Sequence, residues 1–375
     1  MILYISAGTS NSIYDDAYHK KLIFDGTFQV QKFNNNVIMG LSEYEKIVAL
    51  SILPYKKINI PEIVYKTKNI EFICAKNTKG KLRKIYRVKE LIKLGKKIIK
   101  QERPRCIICD SITLAASYAA IKLGKKYSIP TIAIVTDVPE KYCSGKIGFS
   151  GKLDAKLMKK YDKYILLTEQ MNEIVNPKNR PSMVMEGACG EVPTLIINKK
   201  RIILYTGSLW KNNLGLEYFT EGFIKAKLKD VELHFYGVGE FQKDIEEYSK
   251  QNESIKYMGT VSNSEIIKKQ AESSLLINPR PSTEEYCKYS FPSKTFEYMS
   301  SGSPVLMTKL PGIPKEYFDY VFVIEREDSD YVAKKLNEIF SLDEETRNSF
   351  GIKAREFIEK NKNYKKQSKR IFDFI

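Results

Sequence analysis

No stretch of this 375-residue chain approaches the ~18 consecutive apolar residues that a membrane-spanning helix needs. Residues 1–6 carry no basic group and no long apolar core, so they read as a first strand and not as a secretory leader. Histidine is almost missing. His19 and His234 stand far apart, and a metal centre needs more ligands than that pair supplies. Six cysteines (Cys74, Cys106, Cys109, Cys143, Cys189, Cys287) are scattered. Cys106 and Cys109 are three apart on what reads as a buried strand, where they point to opposite faces and share neither a metal nor a disulfide easily. There is no Walker sequence and no low-complexity tract. These absences point to a cytoplasmic protein with no metal and no bound cofactor.

What is present is an ordinary globular mix, 43% hydrophobic and 29% charged, which excludes wholesale disorder. At roughly 100–200 residues per domain the length fits two or three domains. The formal charge is +17 and it is unevenly spread. Residues 1–190 hold 33 basic and 17 acidic side chains, whereas residues 191–375 hold 29 and 28. A half so basic suits an anionic partner, a membrane surface or nucleic acid. The excess is densest between Lys79 and Lys100, with ten Lys or Arg and the single acid Glu90. Leu82, Ile85, Tyr86, Leu91, Ile92, Ile98 and Ile99 form an apolar stripe there at helical spacing. Two readings stand: a surface helix with a solvated basic face, or an amphipathic helix resting on anionic lipid. Nucleic acid is not expected, because no aromatic-interleaved basic groove accompanies the stripe.

Strand and helix signals alternate along both halves. In the first, strands are expected at 2–6, 70–75, 106–109, 131–135, 164–167 and 183–186, and helices at 36–51, 82–100, 113–126, 153–160 and 169–175, the last capped by Thr168. In the second, strands are expected at 201–205, 232–236, 255–258, 275–278, 305–307 and 321–324, and helices at 214–227, 241–250, 264–271, 293–301 and 329–340. Such alternation means parallel sheets and doubly wound α/β domains. The pause at 189–200, with Gly190 and Pro193, places a linker. The expected domains are 1–190 and 191–354, with 355–375 as a closing helix. Ligands of such sheets bind at the carboxyl ends of the strands, so the cleft between two Rossmann-like halves is the default site.

Three motifs lie in the second half. Leu204–Gly215 joins a strand to a helix through Gly207, with Ser208 and Lys211 as polar lining, and a helix N-terminus offers free N–H groups to an anion. His234–Glu240 carries Gly237 and Gly239, but Gln242 stands where a dinucleotide fingerprint needs its third glycine. The most specific is Asn278-Pro-Arg-Pro-Ser282 followed by 289–306. Ser293 is placed to cap a helix whose first turn contains Lys294, a poor place for a cation unless an anion compensates. Glu297 falls on the same face. A cation beside a helix N-terminus suits a diphosphate, and a carboxylate one turn on suits a ribose diol. A surface Lys–Glu pair would explain Lys294 and Glu297 alone, but not Arg280, the prolines and the 301–304 turn together.

These residues resemble the retaining GT-B glycosyltransferases, specifically the family-four group (glycosyl transferases group 1). The likeness covers the whole chain in architecture and residues ~200–310 in motif. It implies that Glu297 is the second of two glutamates spaced by seven residues and contacts the donor ribose. The first falls at Tyr289, which departs from the pattern. The family's diphosphate-holding Arg and Lys fall at Ser208 and Leu214, so Arg280 and Lys294 are left to supply that charge. Further donor contacts implied are Gly8 under the phosphates, Gly207, Ser208, Lys211, Gly237 and Ser290, with Thr260 and Val261 in the segment whose backbone meets the nucleobase. Asp137 stands in a region where many members have a histidine, and either orients or deprotonates the acceptor hydroxyl or caps its loop. Residues 29–34 and 141–152 would flank the acceptor, and 355–375 resembles the helix that returns to the first domain.

The resulting expectation is a retaining, nucleotide-sugar-dependent glycosyltransferase with catalytic residues Asp137, Arg280, Lys294 and Glu297. Its acceptor would be a saccharide, lipid-linked, for a surface polysaccharide, and the protein would sit peripherally on the inner membrane face. A nucleotide-sugar epimerase and a non-enzymatic partner subunit of the same fold are the alternatives.

Overall fold

The computed structural model describes residues 1–24, 27–56, 58–80, 82–138, 148–190, 192–196, 198–210 and 215–375, without the Phe149 side chain. The chain divides into two compact units, Met1–Gly190 with Asn363–Ile375, and Glu191–Lys362.

Unit 1 runs β1 (Ile2–Ser6), α1 (Asn11–His19), α2 (Phe28–Leu41), β2 (Ile47–Ser51), β3 (Ile63–Lys66), β4 (Ile70–Cys74), α3 (Arg83–Gln101), β5 (Cys106–Asp110), α4 (Leu114–Tyr127), β6 (Thr131–Val135), α5 (Phe149–Met158), β7 (Lys163–Leu166), α6 (Met171–Val175) and β8 (Ser182–Val184). Its sheet has the order β3-β4-β2-β1-β5-β6-β7-β8. All neighbours are parallel except the edge pair β3–β4. The inner strands are buried on both faces, as helix-covered parallel strands must be.

Unit 2 runs β9 (Lys200–Thr206), α7 (Leu216–Ala226), β10 (Glu232–Tyr236), α8 (Gln242–Gln251), β11 (Ile255–Tyr257), α9 (Asn263–Glu272), β12 (Ser273–Asn278), α10 (Ser293–Ser300), β13 (Val305–Thr308), β14 (Phe322–Ile324), α11 (Ser329–Ser341) and α12 (Glu344–Phe357). Its parallel sheet has the order β11-β10-β9-β12-β13-β14. In each unit the strand order reverses once, between β1 and β5 and between β9 and β12. The crevice at the carboxyl ends of such a pair is where doubly wound sheets bind ligands.

Several local expectations are corrected. Residues 36–51 are not one helix, because α2 ends at Leu41 and Ile47–Ser51 is strand β2. All five residues of β2 are buried, so they lack the alternation that separates a strand from a buried helix. The short α6 is preceded by Gln170 at its N-cap, not by Thr168. Pro292 occupies the N-cap of α10 and Ser293 is its first helical residue. The segment 355–375 is split into the end of α12, a π-helical turn (Ile358–Lys362) and α13 (Tyr364–Phe374). Asn363 makes the break, its side chain capping the Lys366 N–H at 2.9 Å. α13 then packs on α2, where a Cβ on Gly40 would come within 2.2 Å of Ser368 Oγ. The Tyr364 N–H reaches the Cys189 carbonyl at 2.8 Å, and Gln367 donates to the Gly187 carbonyl at 2.9 Å.

Candidate functional site

The switch point of unit 2 gathers most of the residues singled out from sequence. β9 ends at Thr206, and Gly207 follows with φ +129°. A Cβ there would lie 2.4 Å from Lys294 Cε and 2.5 Å from its Nζ, so glycine lets the lysine side chain lie against the strand end. Lys294 enters from the first turn of α10, is half-buried, and donates to the Tyr205 hydroxyl at 2.7 Å. Burial, then the charge of Arg280, push its ammonium down to about 7, with Glu297 opposing. α10 has no capping side chain and no acid in its first turn. Its first N–H groups therefore present positive potential beside a lysine that burial discourages from holding its proton.

β12 contributes the rest. Asn278 ends it, and Arg280 follows with its guanidinium 5.7 Å from the Tyr286 ring. Asn278 Nδ2 and Arg280 Nε are buried donors with no hydrogen-bond partner among the described residues. Buried donors are normally satisfied, so two at and just past the end of β12 mark a place for acceptor oxygens. An anion bearing several oxygens would satisfy the donors, offset the Lys294–Arg280 repulsion and use the open α10 N-terminus together.

The remaining donor candidates separate by environment. Gly237 (φ +144°) is structural as well as proximal, since a Cβ would fall 1.7 Å from the Gly207 carbonyl oxygen. Its own N–H bonds the Gly259 carbonyl at 2.9 Å, and its carbonyl accepts from the Tyr257 hydroxyl at 2.9 Å. This stitching sets β9, β10 and β11 side by side beneath Thr260 and Val261, which are exposed. Ser208 is exposed and gives its carbonyl to the Tyr205 hydroxyl at 2.8 Å. Glu297 is half-buried on α10, Ser290 is half-buried, and Tyr289 is buried. Tyr205 and Asn278 complete the site. From sequence both fall inside expected strands and motifs, Tyr205 in 201–205 and Leu204–Gly215 and Asn278 in 275–278 and the 278–282 run, but neither is singled out as a site residue. Lys211 and Leu214 lie outside the described residues, as does most of 141–152.

In unit 1 the switch point holds Gly8 and a residue that sequence reasoning missed. A Cβ on Gly8 would strike Asn34 Cβ at 2.4 Å. Asn34 accepts from the Tyr4 hydroxyl at 2.8 Å and donates to Asp110 Oδ2 at 2.7 Å. Asp110, at the end of β5, is fully buried, and burial lifts its carboxyl to about 6 against the Asn34 hydrogen bond. The signal for it was a charged residue closing an apolar strand (Cys-Ile-Ile-Cys-Asp), read only as far as Cys109. Asp137 lies two residues past the end of β6, half-buried and raised by burial, with the Val138 N–H opposing. Its Oδ1 finds no hydrogen-bond partner among the described residues. Asp154 on α5 is raised to about 6 by burial and then by the Asp137 charge, so the two carboxyls feel one another. The thiols of Cys106 and Cys109 are buried and pushed up, Cys106 to about 12, which makes them inert core groups. Among the described residues no three His, Cys, Asp or Glu side chains are grouped to hold a metal ion, and no helix is long and apolar enough to cross a membrane.

Residues 200–341 match the family model described as Glycosyl transferases group 1. No curated protein matches the chain in sequence. Solved structures match its whole length. Sucrose-phosphate synthase from Thermosynechococcus elongatus superimposes with a TM-score of 0.63 at 12% identity, covering 100% of this chain and 98% of that one. The lipopolysaccharide outer core galactosyltransferase WaaB, in its apo form, gives 0.64 at 14% identity over 100% and 98%. Anabaena Alr3699/HepE in complex with UDP and glucose gives 0.58 at 12% identity over 99% and 98%. The fold is therefore the GT-B fold of two parallel-sheet α/β domains. Fold and family match together support a glycosyltransferase enzyme.

Proposed function

We propose that this GT-B glycosyltransferase transfers a sugar from a nucleoside-diphosphate donor with retention at the anomeric carbon. The observation that carries the reading is the half-buried Lys294 ammonium in the uncapped first turn of α10, with Arg280 Nε and Asn278 Nδ2 as buried donors that find no partner among the described residues. Their job is to stabilise negative charge as it develops on the departing diphosphate, which preorganised donors do best in a water-poor site. Glu297 would take the donor ribose, and the exposed segment at Thr260 and Val261 the base. Attack from the face that the diphosphate leaves needs no carboxylate nucleophile, unlike retaining hydrolysis. Asp137, half-buried with an oxygen that finds no partner among the described residues, is the acceptor-side group that can orient or deprotonate a hydroxyl. The reading calls for no metal.

The acceptor is read as a lipid-linked saccharide for a surface polysaccharide, and the protein as cytoplasmic and peripheral on the inner membrane face. The concentration of basic charge in residues 1–190 supports this. A thermal-shift panel of UDP-, GDP- and dTDP-sugars tests the donor assignment, with UDP first because HepE was solved with it. At 100 Kd of the right donor the folded state gains about 2.7 kcal/mol. No shift with any nucleotide sugar would overturn the reading.

A further inference from the structure

The basic helix of unit 1 does not present one uniform face. α3 buries Leu91, Leu94, Ile98 and Ile99 and lies close against α4, where a Cβ on Gly95 would come within 2.4 Å of Leu123 Cδ1. Arg87 is not a free cation. It donates to Asn77 Oδ1 at 2.8 Å and to the Tyr55 carbonyl at 3.3 Å, fixing the start of the helix to the loops below it. The orientation of the outer face is thereby set. At 100° per residue that face reads Leu82, Ile85, Tyr86, Lys89, Lys93, Lys96, Lys97, Lys100. It is apolar at the start and then basic for the rest of ~28 Å.

The apolar end is open to solvent, with Leu82 58%, Ile85 53% and Tyr86 54% exposed. Three large apolar side chains together on a soluble surface call for an occupant. The electrostatics narrow its chemistry. The first turn of α3 has no acid and no capping side chain, and it carries Arg83 and Lys84, cations at the end where the helix dipole disfavours them. An occupant must therefore accept apolar side chains at one end and be anionic along the rest.

We propose that this face of α3 docks on an anionic lipid bilayer, with Leu82, Ile85 and Tyr86 entering the headgroup–acyl boundary and the row from Lys89 to Lys100 lying on the headgroups. This rests on the reading that the enzyme works at a membrane, and it says where the contact is made. Each lysine near an anionic leaflet contributes about fivefold in partition, falling off within a Debye length, and the apolar end adds a salt-insensitive part.

The test uses the full chain with phosphatidylcholine vesicles, with and without phosphatidylglycerol. The parent should sediment with the anionic vesicles, stay in solution with the neutral ones, and release in part at high salt. The Leu82→Ser, Ile85→Ser, Tyr86→Ser triple variant should partition at least about tenfold more weakly and release completely at high salt. The Lys89→Gln, Lys93→Gln, Lys97→Gln, Lys100→Gln variant should lose the preference for anionic vesicles. All altered side chains are exposed, so melting and UDP-sugar binding should match the parent. The Tyr86→Trp variant should be quenched by brominated acyl chains beyond the signal of the native Trp210. Equal sedimentation of the triple variant and the parent would overturn the proposal, as would an unquenched Trp at 86. A parent that sediments with neither vesicle overturns it too and leaves an acidic macromolecule as the partner. Vesicle binding without nucleotide-sugar binding would instead overturn the donor reading and leave this surface standing.

Discussion

Tyr205 and Lys294 hold one another in two ways: the lysine Nζ donates to the phenol oxygen at 2.7 Å and lies 4.0 Å from the ring centroid. The contact joins the end of β9 to the first turn of α10 across Gly207. It places a cation at the switch point, and among the described residues no carboxylate is hydrogen-bonded to its Nζ.

The first prediction follows from that isolation. Burial holds Lys294 at about 7, against 10.5 for an ordinary lysine. Between those values the unfolded chain binds a proton that the folded chain does not, so this group makes stability rise with pH across that window. A bound diphosphate restores the proton. Nucleoside-diphosphate binding should therefore take up a proton near neutral pH and weaken as pH rises above about 7. Calorimetry in buffers of different ionisation enthalpy measures the uptake. Lys294→Ala should abolish it and cost about 1.5–3 kcal/mol of affinity, and Arg280→Ala should cost a similar amount. Unchanged affinity in both variants would falsify the diphosphate assignment.

Glu297 should discriminate between ligands. Glu297→Gln keeps the shape of a half-buried side chain and leaves the fold intact. Affinity for an intact nucleotide should fall by about 1–3 kcal/mol while pyrophosphate binds as before. Equal losses for both ligands would place Glu297 on the phosphates, and no loss for either would remove it from the site.

Asp137 should act on transfer alone. Asp137→Asn should slow transfer by about 10²–10⁴-fold with donor affinity nearly unchanged. Since burial raises its carboxyl, the acid limb of the pH–rate profile should lie above the range of an ordinary aspartate and should disappear in the variant. A loss below about threefold at saturating acceptor would make Asp137 a loop residue.

Gly237→Ala should destabilise unit 2 by more than about 2 kcal/mol. The new Cβ has both a left-handed φ and a carbonyl oxygen 1.7 Å away to contend with. Chemical denaturation measures this, and a midpoint equal to that of the parent would mean that the β9–β10 stitching relaxes freely.

The alternation of strands and helices was readable because covered parallel strands are short apolar runs bounded by polar turns, as Glu232–Tyr236 and Thr131–Val135 are. Edge strand β3 was not, since three of its four residues are exposed and show no alternation. α1 was missed for a different reason. Ser10, two residues past Gly8, is the N-cap of that helix, accepting from the Ile13 N–H at 3.3 Å, and a lone serine before a mixed polar segment gives little periodic signal. At the site, Lys294 stood out as a cation in the wrong helical turn, which is a local signal. Its hydrogen bond to Tyr205 comes from the end of β9 meeting the start of α10, 89 positions apart, and no window of sequence contains both. Asp110 was hidden likewise, because its partner Asn34 lies 76 positions away.

The placement of Asn363–Ile375 in unit 1 has a consequence for synthesis. Unit 2 is one uninterrupted stretch, whereas unit 1 needs a helix made only after all of unit 2 has been translated. The half that begins first is thus the half that finishes last. Until α13 arrives, the α2 surface that receives it, with its glycine notch at Gly40, stays open to water. During that interval the basic unit exposes apolar surface while its neighbour in the chain is already able to close around its own core.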